Sequence, residues 1–107
     1  MIILKDVFNK LSKTTEFCEF NRIENPLHPR KADIAAFLLL DKLVPDKSYI
    51  IKGATHELIW LSTDIDKLAE VATEEDIFYL YHCGVHLGEY DSLEMFVKKY
   101  TINGFLI

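Results

Sequence analysis

Four histidines and two cysteines are the side chains of this 107-residue chain with the widest choice of chemistry. His82, Cys83 and His86 lie within five positions of one another, while Cys18, His28 and His56 stand in other segments. Imidazole and thiolate bind zinc, and a closed zinc site needs four such ligands arranged as a tetrahedron. The chain has no Cys-x-x-Cys pair. His82 and His86 are four apart, but Gly84 between them reads as a helix terminator, so they do not share a helix face. A cysteine nucleophile needs a neighbouring imidazole and an orienting acid. Cys83 sits in an acidic segment, which raises a thiol pKa and so works against nucleophilicity. Gly53, Gly84, Gly88 and Gly104 are all isolated, so there is no phosphate-cradling loop. The expectation is no catalytic residue, no metal and no cofactor. A small enzyme or metal site around His82, Cys83 and His86 stands as a third reading.

Carboxylates are the more informative group. The chain carries 12 basic and 17 acidic residues, a net charge of −5, distributed unevenly. Residues 57–97 hold ten carboxylates against the single base Lys67, whereas the flanking segments are each slightly basic. Residues 63–83 read as a short-linked helix pair, so helix-turn-helix DNA binding is the function to weigh against this charge. A recognition helix over 73–83 would set Glu74, Glu75 and Asp76 against phosphates, with no Lys or Arg to release counterions. Direct nucleic-acid binding is therefore excluded for this segment. On the same helix Ile77 through Tyr81 are apolar or aromatic without a break, so they cannot all face inward. Phe78 or Tyr79 is expected at the surface beside Glu75 and His82, where exposed aromatics flanked by charge act as interface anchors. The expected partner-binding residues are Glu70, Glu74, Glu75, Asp76, Phe78, Tyr79, Glu89 and Asp91.

The elements that position these residues follow from periodicity. Leu4, Val7, Phe8 and Leu11 form one helical stripe. Residues 14–30 are ambiguous: Phe17, Cys18, Phe20 and Ile23 suit a strand or a continuing helix, and Pro26 and Pro29 end either. A second helix from about Pro29 to Val44 is apolar nearly all round and reads as the buried centre of the fold; Pro45 stops it and Asp46-Lys47 turn the chain. Residues 48–62 read as a β-hairpin about Gly53-Ala54-Thr55, with Leu58 and Trp60 on one face of the second strand and Ile59 and Leu61 on the other. Two helices follow, one capped at Thr63 with Ile65, Leu68, Ala69 and Ala72 inward, the other opened by Thr73-Glu74-Glu75-Asp76 with Ile77, Leu80 and Tyr81 inward. A last helix is predicted from Asp91, with Glu94 at its third position and Leu93, Phe96, Val97 and Tyr100 on one side. Asn103-Gly104 reads as a turn that lets Phe105-Leu106-Ile107 dock back or add a strand.

These signals predict an α+β fold: one small compact domain over 1–107, a β-hairpin at about 48–62 packed with four to five short helices. Half the residues are hydrophobic, ample for one core. The N-terminal residues do not have the pattern of a signal peptide, and the longest apolar run, Ile34–Leu40, is too short for a membrane span, so a soluble, cytoplasmic protein is expected, with reduced cysteines and no membrane partner. The leading functional reading is a non-enzymatic acidic binding protein that engages a protein partner with a basic surface. Short, acidic, motif-poor single domains of this type occur among phage and mobile-element accessory proteins, and the sharp version is an inhibitor of a nucleic-acid-handling machine. The alternative is a homodimeric structural or regulatory module joined through the Phe78–Tyr81 face or a hairpin edge.

Overall fold

The computed structural model describes residues 1–45, 48–55, 57–88 and 92–96, and the backbone of 101–102 and 105–106. Among the described residues, four helices and a four-stranded antiparallel sheet make up the predicted α+β class. Helix α1 (Leu4–Thr14) buries Leu4, Val7, Phe8 and Leu11, the four residues of its sequence stripe. Helix α2 (Ala32–Leu43) begins after Pro29, and the turn before it is closed by His28, whose Nδ1 accepts the Arg30 and Lys31 N–H groups. The expectation that α2 is the buried centre is corrected. Ala35, Ala36, Leu39 and Leu40 are buried, but Ile34 and Leu38 on the other side are 36% and 44% exposed. In so small a domain an outer helix has neighbours on one side only, and composition alone does not bury the rest.

Strands β1 (Ile51–Ala54) and β2 (Leu58–Leu61) form the expected hairpin, with a register irregularity between Ile51 and Gly53. The Thr55 hydroxyl closes its turn by accepting from the Glu57 and Leu58 N–H groups. Helix α3 (Ile65–Val71) is capped by the Asp64 carboxylate, one residue later than Thr63, because Asp64 is the side chain that reaches the Asp66 and Lys67 N–H groups. Helix α4 (Glu74–His82) opens with a reciprocal capping box: Thr73 accepts from the Asp76 N–H and Asp76 from the Thr73 N–H. Gly84 ends α4 at φ +95°, a left-handed conformation that disfavours any Cβ. Strand β3 (Val85–Leu87) starts at once.

The predicted last helix is overturned. Leu93–Phe96 is strand β4, which lies between β2 and β3 in the order β1-β2-β4-β3. Leu93 and Met95 point into the core, while Glu94 and Phe96 lie half-buried on the outer face. The segment fits both periods, since Leu93 and Phe96 are three apart and Leu93 and Met95 two apart. Pairing on both edges decides: Ile59 and Val85 both oppose Met95. The helix cap placed at Asp91, with Val97 and Tyr100, lies outside the described residues, as do the Asp46-Lys47 and Asn103-Gly104 turns. Short strands β5 (Thr101–Ile102) and β6 (Phe105–Leu106) pair antiparallel with each other.

One core joins the inward residues of all four helices to Ile59, Leu61, Val85, Leu93 and Met95. Helix α4 is its hub, touching α1, α2, β3 and the 3-10 turn at Phe20–Arg22. Among the described residues no helix is long and apolar enough to cross a membrane. The β4 assignment has a direct check. In a helix with Leu93, Phe96, Val97 and Tyr100 inward, Met95 would face away, whereas in β4 it is 1% exposed. Met95→Ala is expected to destabilise the protein by about 2–5 kcal/mol in denaturant unfolding, the cost of emptying a core site. A change below about 0.5 kcal/mol, usual for a surface position, would contradict the strand.

Candidate functional site

The expected acidic surface resolves into a corner between α3 and α4. Ala72 and Thr73 alone separate the two helices, so Glu70, Glu74 and Glu75, all exposed, flank the joint between them. Asp76 is half-buried and occupied by the capping box. Lys10 of α1 lies 2.7 Å from Glu74, an exposed pair of the kind that contributes about 0–1 kcal/mol. The Ile2 N–H donates to the Ala69 carbonyl, which draws the extended Met1–Ile3 segment alongside the end of α3. Ile3 and Val71 are 65% and 49% exposed, so apolar surface adjoins the carboxylates.

The aromatic half of the expected site is placed differently. Phe78 and Tyr79 are half-buried against the core and not free at the surface. The Tyr79 hydroxyl accepts from the Leu27 N–H and donates to the Ala35 carbonyl, which ties α2 and the preceding loop to α4. An unbroken aromatic run can stay covered because a loop supplies the second wall. Glu89 and Asp91 lie outside the described residues.

That second wall is the ambiguous segment 14–30, which beyond Thr14, the last residue of α1, is neither strand nor helix apart from its 3-10 turn. It lies along the back of α4 and is pinned by side chains and one backbone carbonyl of α4. The Tyr81 hydroxyl donates to the Thr15 carbonyl, the Cys18 N–H donates to the Tyr81 carbonyl, and the Glu19 N–H donates to His82 Nδ1 at 3.3 Å. His82 is fully buried, its Nε2 lies 3.5 Å from the Thr15 hydroxyl, and burial, followed by Arg22, pushes its pKa down. Because Nδ1 accepts a backbone N–H, it carries no proton of its own. His82, Cys83 and His86 do not converge. His82 faces the loop, Cys83 is buried with its thiol pushed up to about 12 by burial and then by Cys18 and Asp33, and His86 projects from the other face of the sheet. No group of three or more metal-ligating side chains occurs among the described residues.

Sequence reasoning missed a row of side chains across the outer sheet face. Trp60 of β2, Glu94 of β4 and His86 of β3 are direct cross-strand partners. Trp60 Nε1 donates to Glu94 Oε2 at 3.0 Å, and Glu94 Oε1 lies 3.9 Å from His86 Nε2. His86 stacks on Phe96, and Phe17 abuts both edge-on. The carboxylate rests against Gly88, where any Cβ would collide with it. Reading Glu94 as a helix-start acid hid this row; a period-2 reading of Leu93–Phe96 would have placed Glu94 opposite the core face.

Comparison with protein-family models, curated proteins and solved structures gives no match to this chain.

Two outcomes follow from the α4–loop contact. His82 ordinarily titrates near 6.5 and is held lower in the fold. Its contribution to stability is therefore complete above about pH 6.5 and lost as pH falls through the folded value. His82→Gln cannot titrate, so unfolding free energies measured from pH 8 to 5 should fall more steeply for the native chain than for the variant; parallel slopes would count against a buried neutral His82. Cys83 should resist alkylation by iodoacetamide at pH 8 until the chain unfolds, with labelling followed by peptide mass spectrometry.

Proposed function

We propose that this protein is a non-enzymatic binding module whose α3–α4 corner engages a basic patch on a partner protein. The observation that supports the reading is the exposed group Glu70, Glu74 and Glu75 beside exposed Val71 and Ile3. An apolar contact with a charged rim is the ordinary anatomy of a protein interface. Lys10 is the basic side chain paired with this group among the described residues, so the corner keeps a surplus of negative charge. Such a surplus speeds association with a basic surface and weakens it as salt rises. It repels nucleic acid, so a protein that itself handles nucleic acid through a basic channel is the fitting partner, and occupying that channel would inhibit it. The buried, pushed-up Cys83 thiol supports a role other than nucleophilic catalysis.

A second reading, a homodimer, rests on β1, an edge strand whose Ile51 is 42% exposed beside Tyr49 at 72%. Sedimentation across a concentration series separates the two readings, since a strict monomer removes the dimer. For the leading reading, the native chain and a Glu70→Lys/Glu75→Lys double variant are used as bait in extract of the source cell at low and moderate salt. The expected result is a basic protein held by the native chain, released by salt, lost with the double variant and kept with a distant control, Asp41→Lys. Equal capture by both baits would remove the α3–α4 corner as the binding surface.

A further inference from the structure

We propose that the gap between Glu94 and His86 on the outer sheet face is a binding site for an organic cation, an ammonium or guanidinium group. Four observations converge on it. First, the Glu94 side chain is only 16% exposed. Withdrawing a carboxylate from water is costly unless a compensating charge or hydrogen bonds replace the solvent. Second, the compensation it receives from the described residues is incomplete. Trp60 supplies one neutral N–H to Oε2, no Lys or Arg pairs with Glu94 among the described residues, and Oε1 faces His86 Nε2 across 3.9 Å. That separation is too long for a hydrogen bond between the two. It suits a third group: one nitrogen donating to both acceptors at about 2.8 Å each spans such a gap with an angle near 90°.

Third, the walls are aromatic. The Trp60 indole reaches from Gly53 on β1, where its six-membered ring lies against the backbone, across to Glu94 on β4. Phe96 stacks on His86 at 5.6 Å, with Phe17 beside both. Phenylalanine ring faces attract cations, whereas Trp60 turns its N–H edge to the carboxylate. Fourth, the carboxylate is held in place: the Trp60 N–H fixes one oxygen, and Gly88 leaves the space in which the other sits. A neutral His86 offers Nε2 as an acceptor when its proton is on Nδ1. A divalent metal is a poorer occupant, because two protein ligands on a hard-to-close aromatic face fall short of a metal's usual set.

This site lies on the opposite side of the sheet from the helices and does not depend on the α3–α4 corner. Trp60 is the chain's single tryptophan, so its emission reports the site directly. The probes are n-butylammonium and ethylguanidinium for free small cations, and acetylated lysine amide and a tri-arginine peptide for basic side chains. Saturable change in Trp60 emission with at least one of them is expected, weakened roughly tenfold or more in Glu94→Gln, the size of one lost charge-assisted hydrogen bond. Gln keeps an acceptor for the indole, so the variant tests charge and not folding. His86→Phe keeps the stack on Phe96 and removes the second acceptor, and it should weaken binding too. Response to the free cations identifies a small-molecule ligand; response to the lysine or arginine compounds alone identifies a side chain of a partner. Glu70→Lys/Glu75→Lys should leave the titration unchanged, which separates failure here from failure of the corner. No saturable change with any probe, equal response in Glu94→Gln, or response to zinc alone would overturn the proposal.

Discussion

A loop without regular structure must still find partners for its backbone groups, and residues 15–27 find them on α4. Three residues in the last turn of α4 do this: Tyr79 holds Leu27, Tyr81 holds Thr15 and Cys18, and His82 holds Glu19. These are polar atoms on the body of the central helix, covered by the loop they bind. The cover in turn permits α4 to be aromatic on two sides without exposing Phe78 and Tyr79. It also accounts for the backbone at Cys18, whose φ of 64° is costly for a residue with a Cβ. The conformation is fixed from both directions, by its own N–H to Tyr81 and by the shape left beside Gly84, against which the Cys18 sulfur packs.

Because α4 is clad by this loop, it can serve as the hub for α1, α2 and β3 together. The loop then reaches the β3 edge of the sheet, where Phe17 rests against Tyr81, His86 and Phe96. The same segment therefore closes the helical core and contributes to the outer sheet face. That face is unlike the inner one. Inside, Ile59, Leu61, Val85, Leu93 and Met95 are apolar and buried; outside, Trp60, His86 and Glu94 form a polar row among aromatics. A sheet needing only to bury one face would suit plain polar residues outside, and a half-buried carboxylate there sets up an electrostatic demand.

The two proposed surfaces use negative charge in different ways. At the α3–α4 corner the carboxylates are solvated, cheap to maintain and effective over distance, which suits steering. At Glu94 a single carboxylate is partly desolvated and oriented, which suits recognition of one group at short range.

The sequence by itself determined the elements whose signal is local. The stripe Leu4, Val7, Phe8 and Leu11, the helix start at Thr73-Glu74-Glu75-Asp76, the terminator Gly84 and the hairpin read at about 48–62 all rest on neighbours within a few positions, and all stand in the fold, the hairpin strands as Ile51–Ala54 and Leu58–Leu61. The charge asymmetry was legible too, along with the exposed position of Glu70, Glu74 and Glu75. Tertiary structure decided the rest. Leu93–Phe96 carries both periods, and only pairing with β2 and β3, partners 34 and 8 positions away in the registers Trp60–Glu94 and His86–Glu94, makes it a strand. Whether α2 is buried on one side or all round depends on how many elements surround it. His82 has an ordinary place at a helix end in the sequence; it is neutral and buried because residues 15–19, more than sixty positions away, fold over it. Local periodicity is written in adjacent residues, but burial and cross-strand neighbours are set by which distant segments meet.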